Sequence, residues 1–265
     1  MSGSIVPAAN LPVVATGRIY AAARPFLLLG IGLLAIEVLV MAFGIRPFYV
    51  PSPSAIAANI AATPGAYLAG LWRTFLETAL GFVAGSLFGV AIAIVFHRWT
   101  ALRELFFPLF IVSQTIPVIA FGAVVVLWFG NTLFAKAAIS FYVSFLPVTV
   151  NAILGFSSVD PKQVELMRSF GASDGQILRR LHLPAALPQI FVALKLASSL
   201  ALVGAIVGEW FGDTTGLGVL LLQAMYNENV VGIWATIVVS ACLGTGLHGA
   251  VSYAERRIVF WGTER

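Results

Sequence analysis

Residues 160–188 read DPKQVELMRSFGASDGQILRRLHLPAALP, a polar and basic passage in a chain that is otherwise largely apolar. Its punctuation is that of two short helices joined by a bend. Asp160 is placed to cap the first helix, and Pro161 falls in the first turn, where a missing N–H leaves no bond unmade. Gln163 stands three residues on, the spacing of a reciprocal cap. Gly171 supplies a stop, because glycine accepts the left-handed conformation at a helix end. Ser173 and Gln176 repeat the cap, and Pro184 is expected to limit the second helix.

What surrounds this passage sets the fold class. Of 265 residues, 60% are hydrophobic and 10% charged, whereas soluble domains carry about a quarter charged residues. A bilayer core takes about 20 apolar residues per helix. Six stretches meet that length: 26–43, 75–96, 105–129, 133–156, 187–207 and 230–247. The expected architecture is an all-α integral membrane protein with six transmembrane helices over 26–252. A cytoplasmic two-helix loop (160–184), an N-terminal segment (1–25) and a basic tail (253–265) complete it. The leader before Phe26 is too long, and the apolar stretch after it exceeds a signal h-region, so a cleaved signal peptide is not expected. The proline-rich segment 45–71 reads as a loop with a short helix near Ala55–Ala62. Leu105–Phe129 reads as a span broken at Pro108 and Pro117, and Leu217–Met225 as a helix too short to cross. Gly81, Gly85 and Gly89 form a small-residue ridge suited to close packing within the subunit.

Charge distribution gives the orientation. With the N-terminus inside, the inner segments hold twelve of the 15 Lys and Arg residues: Arg18, Arg24, Arg98, Arg103, Lys162, Arg168, Arg179, Arg180, Lys195, Arg256, Arg257 and Arg265. The outer ones hold Arg46, Arg73 and Lys136. The asymmetry places both termini, and the two-helix loop, in the cytoplasm. It also explains the net charge of +4 without nucleic acid.

Catalytic constellations are missing. The single cysteine, Cys242, excludes a disulfide framework,. His97, His182 and His248 fall on different helices, and no HExxH, GxSxG or P-loop pattern occurs. No metal site and no nucleotide site are expected in this chain. Glu37 and Glu77 lie within spans, where a charge costs about 2.5–3.5 kcal/mol on insertion scales, yet nothing suggests a proton relay. Lys195 and Glu209 are expected at the two interfaces of the fifth span, the lysine snorkelling. Directed transport would then need an outside energy source, and the cytoplasmic loop is where a soluble motor would dock. Val164, Met167, Leu166 and Phe170 give it an apolar ridge at helical spacing. Glu165 and Arg168, three apart, are spaced to pair with each other.

The loop resembles the EAA motif of bacterial ATP-binding-cassette (ABC) importer permeases: E-A-A, three residues, G, nine residues, I-x-L-P. Glu165, Gly171, Leu183 and Pro184 match it at the right spacing. Leu166 and Met167 replace the alanines, and Leu181 replaces isoleucine. Ile116-Pro117, Leu127-Trp128-Phe129-Gly130 and Gly208-Glu209 with Gly216-Leu217-Gly218 are similar to the nitrate/sulfonate/taurine branch, which includes permeases for thiamine-precursor pyrimidines. The resemblance implies a multi-pass permease of the bacterial inner membrane, paired two-fold as a homodimer, with two cytoplasmic ATPase subunits and an extracytoplasmic solute-binding protein. ATP and magnesium would belong to the ATPase, and this chain would bind no cofactor. The docking residues would be Glu165, Leu166, Met167, Arg168, Phe170, Gly171, Ala172, Leu181, Leu183 and Pro184.

Residues for the translocation path are drawn from polar and kinking positions in the third to fifth spans: Ser113, Gln114, Pro117, Ser198 and Ser199, with Phe110, Phe141 and Tyr142 as a stacking face. Hydroxyls at depth serve equally as glue between helices. An ion-coupled carrier and a non-transport membrane scaffold are the competing classes. The cargo stays open between a pyrimidine-like heterocycle and a sulfonate, taurine or nitrate anion.

Overall fold

The protein is described by a computed structural model covering residues 13–262, with side chains from Leu27 to Trp261. The expectations for Arg18, Arg24 and Arg265 as inner-side charges fall outside the described side chains. Every regular element is helical among the described residues: α1 (Val13–Ala42), α2 (Pro53–Ala62), α3 (Pro64–Arg98), α4 (Thr100–Ser113), α5 (Val118–Phe129), α6 (Leu133–Phe156), α7 (Pro161–Ser169), α8 (Asp174–Ile177), a π-helical turn (Leu178–His182), α9 (Leu183–Glu209), α10 (Leu217–Tyr226) and α11 (Val230–Ile258).

Helices α3, α6 and α9 form the centre, and small residues set how closely they approach. A Cβ on Gly81 would lie 2.3 Å from Ser140 Cβ, and one on Gly89 2.6 Å from the Phe145 carbonyl. The α3 glycine ridge therefore packs within the subunit, against α6. Gly155 of α6 meets Ala186 of α9 in the same way, with 2.8 Å left for a Cβ. Such backbone proximity replaces the hydrophobic drive that lipid cannot provide. Below this seam Ala93, Phe96, Ile153, Phe156 and Ile190 close an apolar core. By contrast α1 leaves most of its described leucines and isoleucines exposed, as an all-apolar helix facing hydrocarbon would.

Four described helices are long and apolar enough to cross a bilayer, or five if α4 and α5 count as one broken span. The expected six is thus not reached among the described residues; the part of α1 described with side chains, Leu27–Ala42, is apolar but too short to enter that count. Several boundaries differ from the sequence reading. The second span begins at Pro64, not Phe75, because proline at the first helical position starts α3 rather than ending a loop,. In the third span Pro108 lies inside an unbroken α4, forgoing only a bond to Glu104 near the helix start. The break comes at Pro117, where α4 and α5 diverge by 96°, since the residue before proline disfavours helical geometry. Pro184 does not end the second loop helix: it sits in the first turn of α9, and helical backbone runs through the π-turn without interruption.

Candidate functional site

The two-helix loop is built largely by its own caps. The Asp160 carboxylate accepts from the Lys162 amide at 2.9 Å, starting α7 at Pro161. At the other end the Ala172 amide reaches back to the Met167 carbonyl (3.0 Å) and the Gly171 amide to that of Arg168 (2.9 Å). With Gly171 at φ +77°, this is the Schellman arrangement that terminates a helix. Ser173 and Gln176 then form a full capping box: the Ser173 amide donates to Gln176 Oε1 at 2.9 Å, and the Gln176 amide to Ser173 Oγ. The Gln163 amide, by contrast, bonds the Asp160 carbonyl.

Ion pairs hold the loop against the end of α3. Asp174 accepts from Arg98 at 2.6 Å and from Arg168 at 3.3 Å. Arg168 therefore turns to Asp174 rather than to Glu165, the partner its spacing suggested; Asp174 is close because the Gly171 bend folds the chain back. His182 bonds the Phe156 carbonyl through Nδ1 at 3.1 Å, and its ring lies 4.4 Å from that of His97. Between loop and α3 runs an open groove of about 620 Å³ lined by Ile94, Arg98, Trp99, Val164, Ile177 and Leu178, among others. The apolar ridge of α7 consequently divides. Val164 and Met167 are half-buried, while Leu166 and Phe170 are 58% and 84% exposed. Glu165 is exposed, Ala172 and Leu181 are half-buried, and Leu183 packs on the apolar core with Pro184 beside it.

Most of the path candidates lie around the α4–α5 corner and the face of α6 beside it. Gln114 ends α4, and its Nε2 donates to the Tyr142 carbonyl at 3.3 Å. The Tyr142 hydroxyl donates to the Ser113 carbonyl, and its ring stacks on Phe121 at 3.9 Å. These contacts fasten the Pro117 corner to α6. Phe110 and Phe141 pack on Phe145. Buried Ser198 donates to the Lys195 carbonyl, and Ser199 is exposed.

A second polar site lies at the opposite end of α3, and the sequence reading missed it. Glu77, Lys136 and Glu209 are at most 1% exposed. Arg73 pairs with Glu77 at 2.8 Å, and Lys136 lies 3.0 Å from Asp213. Glu209 accepts from Thr74 Oγ1 and from the Gly218 amide, both at 2.5 Å, while Thr74 Oγ1 accepts from the Leu217 amide at 2.9 Å. Glu209 is thus covered by protein: α9 carries it under the start of α10, where helix N–H groups need an acceptor,. Lys195, the residue expected to snorkel, pairs with Glu255 of α11 at 2.7 Å. The signal that was available is topological, since Arg73 and Glu77 in the first half of α3, Lys136 in the first turn of α6, Glu209 at the end of α9 and Asp213 in the α9–α10 link all lie toward the side away from the loop. Among the described residues, no group of three or more His, Cys, Asp and Glu side chains is placed to hold a metal.

Residues 81–260 match the model of the binding-protein-dependent transport system inner membrane component family. This chain belongs to that family. It is an ABC importer permease. It is 31% identical over 217 residues to the formylaminopyrimidine transport permease protein ThiX of Halalkalibacterium halodurans, covering 82% of this chain and 87% of that one. The putative aliphatic sulfonates transport permease protein SsuC of Bacillus subtilis is 29% identical over 186 residues, 70% of this permease and 67% of that protein. Among solved structures, the MetNI methionine ABC transporter in an inward-facing conformation aligns with TM-score 0.66 at 18% identity, over 74% of this permease and 98% of that chain. That likeness establishes the fold. A permease subunit of this kind is not itself an enzyme.

Proposed function

We propose that this permease crosses the membrane six times with both termini in the cytoplasm, α1 and the bent α4–α5 pair supplying the two spans beyond the four long helices. Two copies would form the path, and the α7–α8 loop of each would seat one cytoplasmic ATPase subunit. The observation that carries this reading is the loop itself: a capped projection that leaves Leu166 and Phe170 exposed. Apolar side chains on a polar projection are what a partner surface would cover. Arg168 and Asp174 brace the projection, and Glu165 stands free to reach the partner.

The cargo would be a small polar solute delivered by a binding protein. Relatives named for a formylaminopyrimidine and for aliphatic sulfonates support two chemistries, a heterocycle and an anion, with the heterocycle favoured by the more similar chain. Gln114, Ser113 and Pro117 at the α4–α5 corner, with Phe110, Phe141, Tyr142, Ser198 and Ser199, are the proposed path residues. Reconstitution into liposomes with the ATPase and binding protein tests the reading, offering a pyrimidine and a sulfonate in parallel. Uptake that requires ATP and the ATPase supports it; uptake driven by an ion gradient without the ATPase contradicts it.

A further inference from the structure

Helical backbone is continuous from Asp174 to Glu209, 36 residues, about 54 Å at 1.5 Å per residue. Both ends of this rod are tied to α3. At the loop end Asp174 holds Arg98; at the far end Glu209 holds Thr74, 24 positions earlier in α3. The far tie includes a third element. Glu209 Oε2 accepts from the Gly218 amide and Thr74 Oγ1 from the Leu217 amide, so the first turn of α10 hangs on the end of the rod. Packing there leaves no slack: a Cβ on Gly216 would fall 2.3 Å from the Glu209 carboxyl carbon, and one on Gly218 2.4 Å from the Ile206 carbonyl. Arg73, Glu77, Lys136 and Asp213 surround the tie with ion pairs that join α3, α6 and the α9–α10 link.

We infer that Glu209 and Thr74 form a latch through which a displacement of the α7–α8 loop is carried along α9 to α10, making them positioning residues for opening the far side of the path. This rests on the permease reading above. A helix moves as a unit along its axis, and α9 meets α3 and α6 largely through alanine, glycine and aliphatic side chains, whose contacts are non-directional and permit sliding,. The Gln189–Asn151 bond and the Lys195–Glu255 pair hold it to α6 and α11, and neither reaches α10. Directional bonds from a charged acceptor to backbone N–H groups do not slide. Of the contacts joining α9 to α10, the Glu209 bond is of that kind. With the latch cut, the rod would move without taking α10 with it, and ATP would be spent without cargo passing.

The test uses the double variant Thr74→Val with Glu209→Leu, which removes both connections to α10 at nearly constant size, and Thr74→Ser, which keeps both, each assembled with ATPase and binding protein in liposomes. Uptake and ATP hydrolysis are read together. The latch predicts that the double variant keeps hydrolysis within about two-fold of wild type while uptake per ATP falls at least ten-fold, and that Thr74→Ser keeps uptake per ATP near wild type. Unchanged uptake per ATP in the double variant overturns the latch. So does a parallel loss of assembly, hydrolysis and uptake in both variants, which marks a structural role. Wild type showing no ATP-dependent uptake would instead remove the reading on which the latch rests.

Discussion

Arg98, the last residue of α3, and Asp174, the first of α8, pair at 2.6 Å, although both side chains are about half exposed. An exposed pair of this kind contributes about 0.2–1 kcal/mol, too little to matter for the fold. Its weight lies in orientation, because Asp174 also holds Arg168 of α7 and so fixes both loop helices against α3. Asp174→Asn is expected to leave the thermal midpoint within a few degrees while lowering ATP-driven uptake several-fold. The charge-exchanged pair Arg98→Asp with Asp174→Arg should recover part of the loss. Differential scanning fluorimetry and uptake on the same preparations check it.

The α3–α6 seam predicts a contrast among glycines. A Cβ at Gly85 would lie 2.3 Å from Ser144 Oγ and 2.9 Å from the Phe141 carbonyl, whereas at Gly30 and Gly32 of α1 nothing lies within 4 Å. Gly85→Ala is expected to destabilise by about 1–3 kcal/mol, the usual range for overpacking. Gly30→Ala and Gly32→Ala should be neutral or slightly stabilising. Thermal unfolding in detergent separates the two classes.

The caps of the loop, the bend at Gly171 and the glycine ridge were legible because each is encoded within a few neighbouring residues. Prolines were harder, since the same residue opens a helix at Pro64, rides inside one at Pro108 and ends one near Pro117. Which outcome applies depends on the carbonyl that loses its partner, not on the proline. The buried cluster of Glu77, Lys136, Glu209 and Asp213 was invisible to local reading: Thr74 and Glu209 are 135 positions apart, and only the stacking of three helices brings them together. The His97–His182 contact was hidden for the same reason.

Lys195 and Glu255, each about a quarter exposed, tie α9 to α11. Removing one partner leaves a charge without compensation, whereas removing both does not. Lys195→Met alone is therefore expected to destabilise more than Lys195→Met combined with Glu255→Gln. A double-mutant cycle on unfolding measures the difference.

Gly171 has open space where a Cβ would go, so its φ of +77° alone demands glycine. Asparagine enters the left-handed region more readily than other residues. Gly171→Asn is therefore expected to keep a sizeable share of uptake, and Gly171→Val to lose it, with both proteins present in the membrane at wild-type amounts. Immunoblots of membrane fractions beside uptake assays check the pairing of results.

The claim that the α7–α8 loop delivers the work of ATP hydrolysis to this permease is tested most directly by ATP-dependent uptake through Gly171→Val, a β-branched residue that the left-handed region does not accommodate. The substitution strains the bend between the loop helices and touches no membrane-spanning segment. The account predicts a variant that reaches the membrane in normal amount and shows no ATP-dependent uptake. Uptake at the wild-type rate would contradict it.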